Sequence, residues 1–250
     1  MKIGNKEIGN KEPVFLIAEA GVNYNNKLSL ALKMVDIAKK AGADAIKFQT
    51  WKTEKMQLKN STKPNYQKNI KNKTYFELLK SLEPSKKDQA RIFDYCKKKK
   101  IVFLSTPYDE ESVDFLVDIG VDAFKISSSD LSNHLLLRYI SKKKKPIILS
   151  TGLSSIKEID ITMDMLTKKH MKNKTVILQA TSSYPTNYDE VNLRVISRYK
   201  EKYNILVGLS DHTLGLTVRI SCLFNTTGTG TTMAKSFTSP LKSLLIVTTV

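Results

Sequence analysis

The sequence predicts an α/β chain folded as a (β/α)8 barrel of the TIM type. Three observations predict it. Short, continuous, β-rich apolar runs recur, beginning at residues 14, 45, 101, 123, 146, 175 and 205. They are not alternating, as expected of parallel strands covered on both faces. The segments between them carry apolar residues at helical spacing. Successive starts are 31, 56, 22, 23, 29 and 30 residues apart, a repeating βα unit. Seven units with room for an eighth, in 250 residues, suit a closed barrel of roughly 250 residues better than an open sheet.

The elements follow in order. Val14–Ala18 forms the first strand and leads into Glu19. Leu28, Leu32, Val35 and Ala38 then lie on one helical stripe, and Ala45–Phe48 is the second strand. The long interval holds an excursion over residues 50–82, rich in Lys, Asn and Gln, expected to be a lid or a substrate wall. Phe93 and Cys96 mark a second stripe before the strand Ile101–Leu104. Ala123–Ile126, Pro146–Leu149, Thr175–Leu178 and Ile205–Leu209 complete the visible strands. Internal likenesses support the repeat: Gly42-Ala-Asp-Ala-Ile-Lys47-Phe resembles Gly120-Val-Asp-Ala-Phe-Lys125-Ile, and Leu104-Ser-Thr-Pro107 resembles Leu149-Ser-Thr-Gly152. The barrel is expected to occupy residues 1–224. Residues 225–250 form an atypical tail with eight Thr and no acidic residue. This stretch predicts neither a good strand nor a helix, so the eighth unit is expected to be degraded. An open seam between the seventh and first strands would follow.

Lys and Arg exceed Asp and Glu by 17. Only five of these 41 cations are Arg, whereas base readout and phosphate forks favour Arg. The charge therefore predicts a solvated Lys-rich surface and no nucleic-acid partner. The Lys runs at 97–100 and 142–145 end helices, where cations complement the negative C-terminus. Cys96 and Cys222 form neither a disulfide framework nor a metal pair. No apolar run reaches the roughly 18 residues of a membrane span, and the N-terminus is too polar for a signal peptide. A cytoplasmic protein with no membrane partner is expected.

In a barrel, the residues at strand C-terminal ends line the active site. Here they are Glu19, Lys47, Gln49, Ser105, Thr106, Lys125, Ser127, Ser128, Asp130, Ser150, Thr151, Thr181, Ser182, Tyr184, Ser210, Asp211 and His212. Two lysines inside apolar strands are costly unless they meet an anion. With a ring of hydroxyls they suit a substrate carrying phosphate and carboxylate. The alternative is that each lysine merely pairs with Glu19 or Asp130. His212 is a candidate metal ligand or a structural histidine. His134 and His170 fall on predicted helices, which excludes an all-His cage.

Seven segments in order resemble the sialic acid synthase family, which includes N-acetylneuraminate, legionaminate and pseudaminate synthases. They are Phe15-Leu-Ile-Ala-Glu-Ala-Gly-Val-Asn23, Lys47-Phe-Gln-Thr50, Phe103-Leu-Ser-Thr-Pro-Tyr-Asp109, Phe124-Lys-Ile-Ser-Ser-Ser-Asp130, Leu149-Ser-Thr-Gly-Leu-Ser154, Ser183-Tyr-Pro185 and Gly208-Leu-Ser-Asp-His-Thr213. The Glu-Ala-Gly-Val-Asn and Tyr66-Gln67 regions look more like the N-acetylneuraminate and legionaminate branches. The resemblance implies condensation of phosphoenolpyruvate with an N-acetylated aminosugar such as N-acetylmannosamine, giving a nonulosonic acid and phosphate. It places Lys47, Thr106, Lys125, Ser128, Ser150 and Ser210 on phosphoenolpyruvate, with Gln49 among the substrate contacts. Glu19, Tyr184 and Ser182 fall on the sugar. Asp130 falls at an acidic position able to handle the water proton, which makes Glu19 and Asp130 the catalytic pair. His212 matches one ligand of a divalent metal, Mn2+ or Mg2+.

The sequence departs from the family at Tyr24, at Ala180-Thr181 and in Ala234-Lys-Ser236-Phe-Thr238, where the family carries its second metal-binding His. The resemblance also leaves the family's C-terminal antifreeze-like domain without a counterpart, and homodimerisation is doubtful without it. Two other readings compete: a class I aldolase with an imine on Lys47 or Lys125, and an inactive truncated member.

Overall fold

The computed structural model describes residues 1–9, 12–62, 73–215, 217–218 and 221–222, and the backbone of 244–249. Its barrel strands are β1 (Phe15–Gly21), β2 (Ala45–Thr50), β3 (Val102–Pro107), β4 (Phe124–Ile126), β5 (Ile147–Ser150), β6 (Thr175–Ala180), β7 (Leu206–Asp211) and β8 (Leu244–Thr249). All neighbours are parallel, and the barrel is closed. The helices are α1 (Leu28–Lys40), α2 (Thr53–Met56), α3 (Tyr75–Leu82), α4 (Lys86–Lys99), α5 (Glu110–Ile119), α6 (His134–Lys142), α7 (Ile156–Lys168) and α8 (Arg194–Tyr203).

The expected seam is not there. Leu245 pairs with Phe15 on one side and with Gly208 on the other, and the ladder continues to Thr248 against Ala18 and Asp211. The reason lies in Leu244-Leu-Ile-Val-Thr-Thr249. This is a β-branched run of the kind that makes a buried strand, hidden in the sequence by the Thr- and Gly-rich stretch before it. Ser236 and the segment 223–243 lie outside the described residues, as does Tyr66-Gln67. One histidine also differs. His170 lies just past α7 in the left-handed region, φ 57°, rather than on the helix.

Side-chain parity divides the core in two. Phe15, Ile17, Ala45, Val102, Leu104, Ala123, Ile148, Val176 and Leu178 pack together inside the barrel. Ala18, Ile46, Phe48, Phe103, Phe124, Ile126, Leu149 and Ile177 pack outward with the helices. Since side chains alternate along a strand, the inward set continues upward through Glu19, Lys47, Thr106, Lys125, Ser150 and Ser210. A short antiparallel ribbon, Lys2–Ile3 with Lys6–Glu7, adds Ile3 and Ile8 to the inner cluster. It turns at Gly4 and Asn5, and Gly4 takes φ 59°, a conformation glycine adopts without penalty.

Caps mark the helix starts. Asp109 accepts from the Ser112 amide, and capping boxes open α3 at Thr74 and Glu77 and α7 at Ser155 and Glu158. Lysines gather at the C-terminal ends, as expected: Lys97, Lys98 and Lys99 close α4 and Lys142 closes α6. Others donate to carbonyls there, Lys39 to Lys100 at 2.8 Å and Lys174 to Lys144 at 2.8 Å. These contacts give part of the positive charge a local structural role. Retention on random duplex DNA is therefore expected to vanish by about 0.2 M salt. Filter binding across a salt series checks this, and retention above that concentration would contradict the surface reading. No described helix is long and apolar enough to cross a membrane.

Candidate functional site

The inward-facing residues at the strand C-terminal ends converge as the sequence predicts. Lys47 and Lys125 are each only 5% exposed. Their surroundings differ, and the two readings of a buried lysine divide between them. Lys47 Nζ lies 2.8 Å from Glu19 Oε2 and 3.4 Å from Thr106 Oγ1, so it is an ion pair with a hydroxyl beside it. Lys125 Nζ donates to the Ile126 carbonyl at 3.1 Å, and no carboxylate among the described residues pairs with it. Burial foremost, and then the charge of Lys47, lowers the Lys125 ammonium to about pKa 7, against the pull of Glu19. An ammonium held this way gains whatever an anion brings to it.

Hydroxyls stand at the ends of the adjoining segments. Ser150 Oγ is fully buried without a hydrogen-bond partner. A buried hydroxyl left so is costly and calls for a ligand or water. Ser128 Oγ accepts from the Gly152 amide at 3.0 Å. A Cβ at Gly152 would stand 2.3 Å from Ser182 Oγ and 2.9 Å from Ser128 Oγ. Glycine here lets the strand-end backbone approach both hydroxyls. Gly152→Ala is expected to push them aside and to weaken anion binding roughly tenfold or more, while thermal unfolding moves little. Titration with phosphoenolpyruvate and a melting curve check the two halves.

Ser210 Oγ lies 3.5 Å from His212 Nε2. His212 Nδ1 sits 2.6 Å from the Thr181 carbonyl and must donate to it, which leaves the Nε2 lone pair to accept from the Ser210 hydroxyl. Burial holds His212 below its ordinary pKa, so it is neutral at pH 7. The Tyr184 ring, 60% exposed, rests on the imidazole with centroids 4.3 Å apart. Gln49 ends the inward set of β2 and its carbonyl accepts from Gln89 Nε2 at 2.6 Å. Asp130 is half-buried at the rim, its carboxyl raised by burial against hydrogen bonds from Asn133 and Ser129. For a metal, the described residues offer the Nε2 lone pair. They contain no group of three His, Cys, Asp or Glu placed to hold an ion.

Three strand-end residues serve the fold instead. Ser105 Oγ bonds Thr50 Oγ1 at 2.7 Å behind the sheet. Thr151 Oγ1 donates to the Leu178 carbonyl and accepts from Tyr199. Asp211 Oδ1 accepts from the amide and hydroxyl of Thr213. One site residue escaped the sequence reading. Tyr108 follows Pro107 at the mouth, where burial raises its phenol and Asp130, Glu19 and Tyr184 lie within electrostatic reach. Two surface grooves among the described residues, one beside Arg138 and Lys168 and one beside Arg194 and Arg198, are formed by other residues.

Comparison with known proteins agrees with this geometry. The chain is 39% identical over 220 residues to N,N'-diacetyllegionaminic acid synthase of Legionella pneumophila, covering 86% of this chain and 62% of that protein. It is 33% identical over 218 residues to N-acetylneuraminate-9-phosphate synthase of Homo sapiens, covering 86% and 60%. The crystal structure of N-acetylneuraminic acid synthetase from Leptospira borgpetersenii superposes with a TM-score of 0.82 at 33% identity, over 100% of this chain and 77% of that one. The chain spans about three fifths of the length of the curated relatives it matches. Residues 34–229 match the NeuB family, and these include all the lysines, serines and the histidine of the mouth: the chain belongs to the NeuB family.

Proposed function

We propose that the barrel mouth binds phosphoenolpyruvate and condenses it with the open-chain aldehyde of an N-acetylated aminosugar of the N-acetylmannosamine type. The observation that carries this reading is Lys125, a buried ammonium without a carboxylate partner, together with the unpartnered Ser150 hydroxyl at the end of the adjoining strand β5. Together they suit an anion. Lys47, Thr106, Ser128 and Ser210 complete the cradle. The relatives' names as sialic-type acid synthases support the sugar half.

In this reaction the enol carbon of phosphoenolpyruvate forms a bond to the aldehyde carbon. Water adds at the carbon bearing the phosphate, and the C–O bond to phosphate breaks. The products are a nonulosonic acid and inorganic phosphate. Lys125 and the serine hydroxyls hold the phosphate and carboxylate charges. Glu19, fixed by Lys47 through Oε2, offers Oε1 to the sugar hydroxyls, and Tyr184 and Ser182 border the same space. Asp130 receives the proton of the attacking water, a task suited to a carboxyl raised by burial. A divalent ion, Mn2+ or Mg2+, would be held by His212 Nε2 and, when bound, polarises the aldehyde oxygen. One nitrogen is a poor site for such hard cations, so the ion is expected to bind weakly until substrate oxygens join it.

The test is phosphate release from phosphoenolpyruvate, dependent on the aminosugar. Borohydride with pyruvate tests the competing aldolase: covalent trapping on Lys47 or Lys125 would overturn the condensation reading. Binding of phosphoenolpyruvate without turnover would point instead to an inactive member.

A further inference from the structure

We infer that Gln89 is a positioning residue: its buried amide fixes the mouth end of β2, so that the Gln49 side chain stands over the aminosugar. The inference rests on the condensation proposed above and on Gln49 as one of its substrate contacts.

Backbone alternation shows why such a residue is needed. Along a strand, successive carbonyls point to opposite neighbours. The Asp44 and Thr50 carbonyls accept from the Val102 and Tyr108 amides at the two ends of β3, so the Gln49 carbonyl faces β1. The ladder between β1 and β2 shifts register between Glu19 and Gly21 and ends at Gly21 opposite Phe48, short of Gln49. Gln89, near the start of α4 and 1% exposed, takes the place of the missing amide. Its Nε2 donates to the Gln49 carbonyl at 2.6 Å, and its Oε1 accepts from Thr50 Oγ1 at 2.9 Å. A carbonyl can only accept, which fixes the way the Gln89 amide is turned. The one Thr50 hydroxyl hydrogen goes to Oε1, so Ser105 Oγ donates to Thr50 at 2.7 Å. Gln89 thus ties the ends of β2 and β3 to α4.

The residue held in this way faces the site. Thr50 turns outward to Gln89, so Gln49 turns inward. It stands opposite Thr106, one inward step nearer the opening than Lys47 and the Glu19 carboxylate paired with it. Its side-chain amide bonds no other described residue, which leaves that group to a ligand. Glu19 is the proposed partner of the sugar hydroxyls, so Gln49 above it meets the aminosugar and not the phosphate of phosphoenolpyruvate.

The test is binding of N-acetylmannosamine, followed by ligand-observed NMR, beside calorimetric titration with phosphoenolpyruvate. Gln89→Met keeps the length of the side chain and removes its donor. It is expected to weaken the aminosugar roughly fivefold and to leave phosphoenolpyruvate within about twofold of the parent chain. Gln49→Ala should weaken the aminosugar at least as much, and the double variant should be no worse than Gln49→Ala, because Gln89 acts through Gln49. Thr50→Val releases the same amide from its oxygen side and serves if circular dichroism shows Gln89→Met unfolded, while Thr50→Ser keeps the hydroxyl and should bind like the parent. A folded Gln89→Met or Thr50→Val that binds the aminosugar like the parent, or weakens both ligands alike, overturns the inference. So does a Gln89→Met loss that adds in full to that of Gln49→Ala. Selective loss of the aminosugar in a chain that releases no phosphate upholds the positioning role and contradicts the proposed reaction instead. A parent chain that binds phosphoenolpyruvate but no aminosugar contradicts the substrate reading of Gln49, and the inference with it.

Discussion

Lys125→Met is expected to abolish phosphoenolpyruvate binding while making the folded chain more stable. The ammonium is buried without a carboxylate partner, so the folded state carries its desolvation alone. Methionine fills the same space and removes that cost, which is expected to raise stability by about 1–3 kcal/mol. The same substitution removes a desolvated cation from the anion cradle, a loss of roughly 10²-fold or more in kcat/KM. The pH dependence has a definite sign. Folding lowers Lys125 to about 7 from an unfolded value near 10.4. Between these values the unfolded chain binds more protons, so stability rises with pH across that window, and Lys125→Met should lose this rise. An anion favours the ammonium, so phosphoenolpyruvate should bind more weakly as pH climbs above 7. Urea unfolding at several pH values and a binding titration measure the two effects.

Lys47→Met is expected to cost as much activity and to act on stability in the opposite direction. Lys47 is paired, 2.8 Å from a Glu19 side chain that is 19% exposed. Taking the cation away strands a half-buried carboxylate, which is expected to destabilise the fold by about 2 kcal/mol, below the figure for a fully buried pair. It also frees Glu19 to swing from the place proposed for it beside the sugar, so on that reading KM for the aminosugar should rise together with that for phosphoenolpyruvate. Lys125, relieved of its like-charged neighbour, should titrate higher in this variant. If Lys47→Met and Lys125→Met shift the unfolding midpoint in the same direction, the division into one paired and one unpaired lysine is wrong.

Much of this was legible in the sequence, because barrel parity is a rule of period two. Once the strands at residues 45 and 123 are found, Lys47 and Lys125 must face the same way, and the matched Gly-x-Asp-Ala segments before them fix their height. Thr106, Ser150 and Ser210 follow by the same count. Other features broke local rules. The run Leu244–Val247 carries a strand signal, but the low-complexity stretch ahead of it shows no helix to space it from β7. The ribbon at residues 2–7 was written in the repeat Ile3-Gly-Asn-Lys-Glu7 and Ile8-Gly-Asn-Lys-Glu12, too short to register as an element. Tyr108 sits where an aromatic after Pro107 reads as packing. Only its electrostatic reach to Asp130, Glu19 and Tyr184, which come from other units, separates it from a core ring.

The central claim is that Lys125 heads an anion cradle for phosphoenolpyruvate. Calorimetric titration of the chain with phosphoenolpyruvate near pH 7, in two buffers of different ionisation enthalpy, tests it most directly. One site with net proton uptake is predicted, because an ammonium with pKa about 7 becomes fully protonated when its anion arrives. That site should be lost in Lys125→Met. Binding that releases or exchanges no protons, or that persists unchanged in Lys125→Met, would contradict the account.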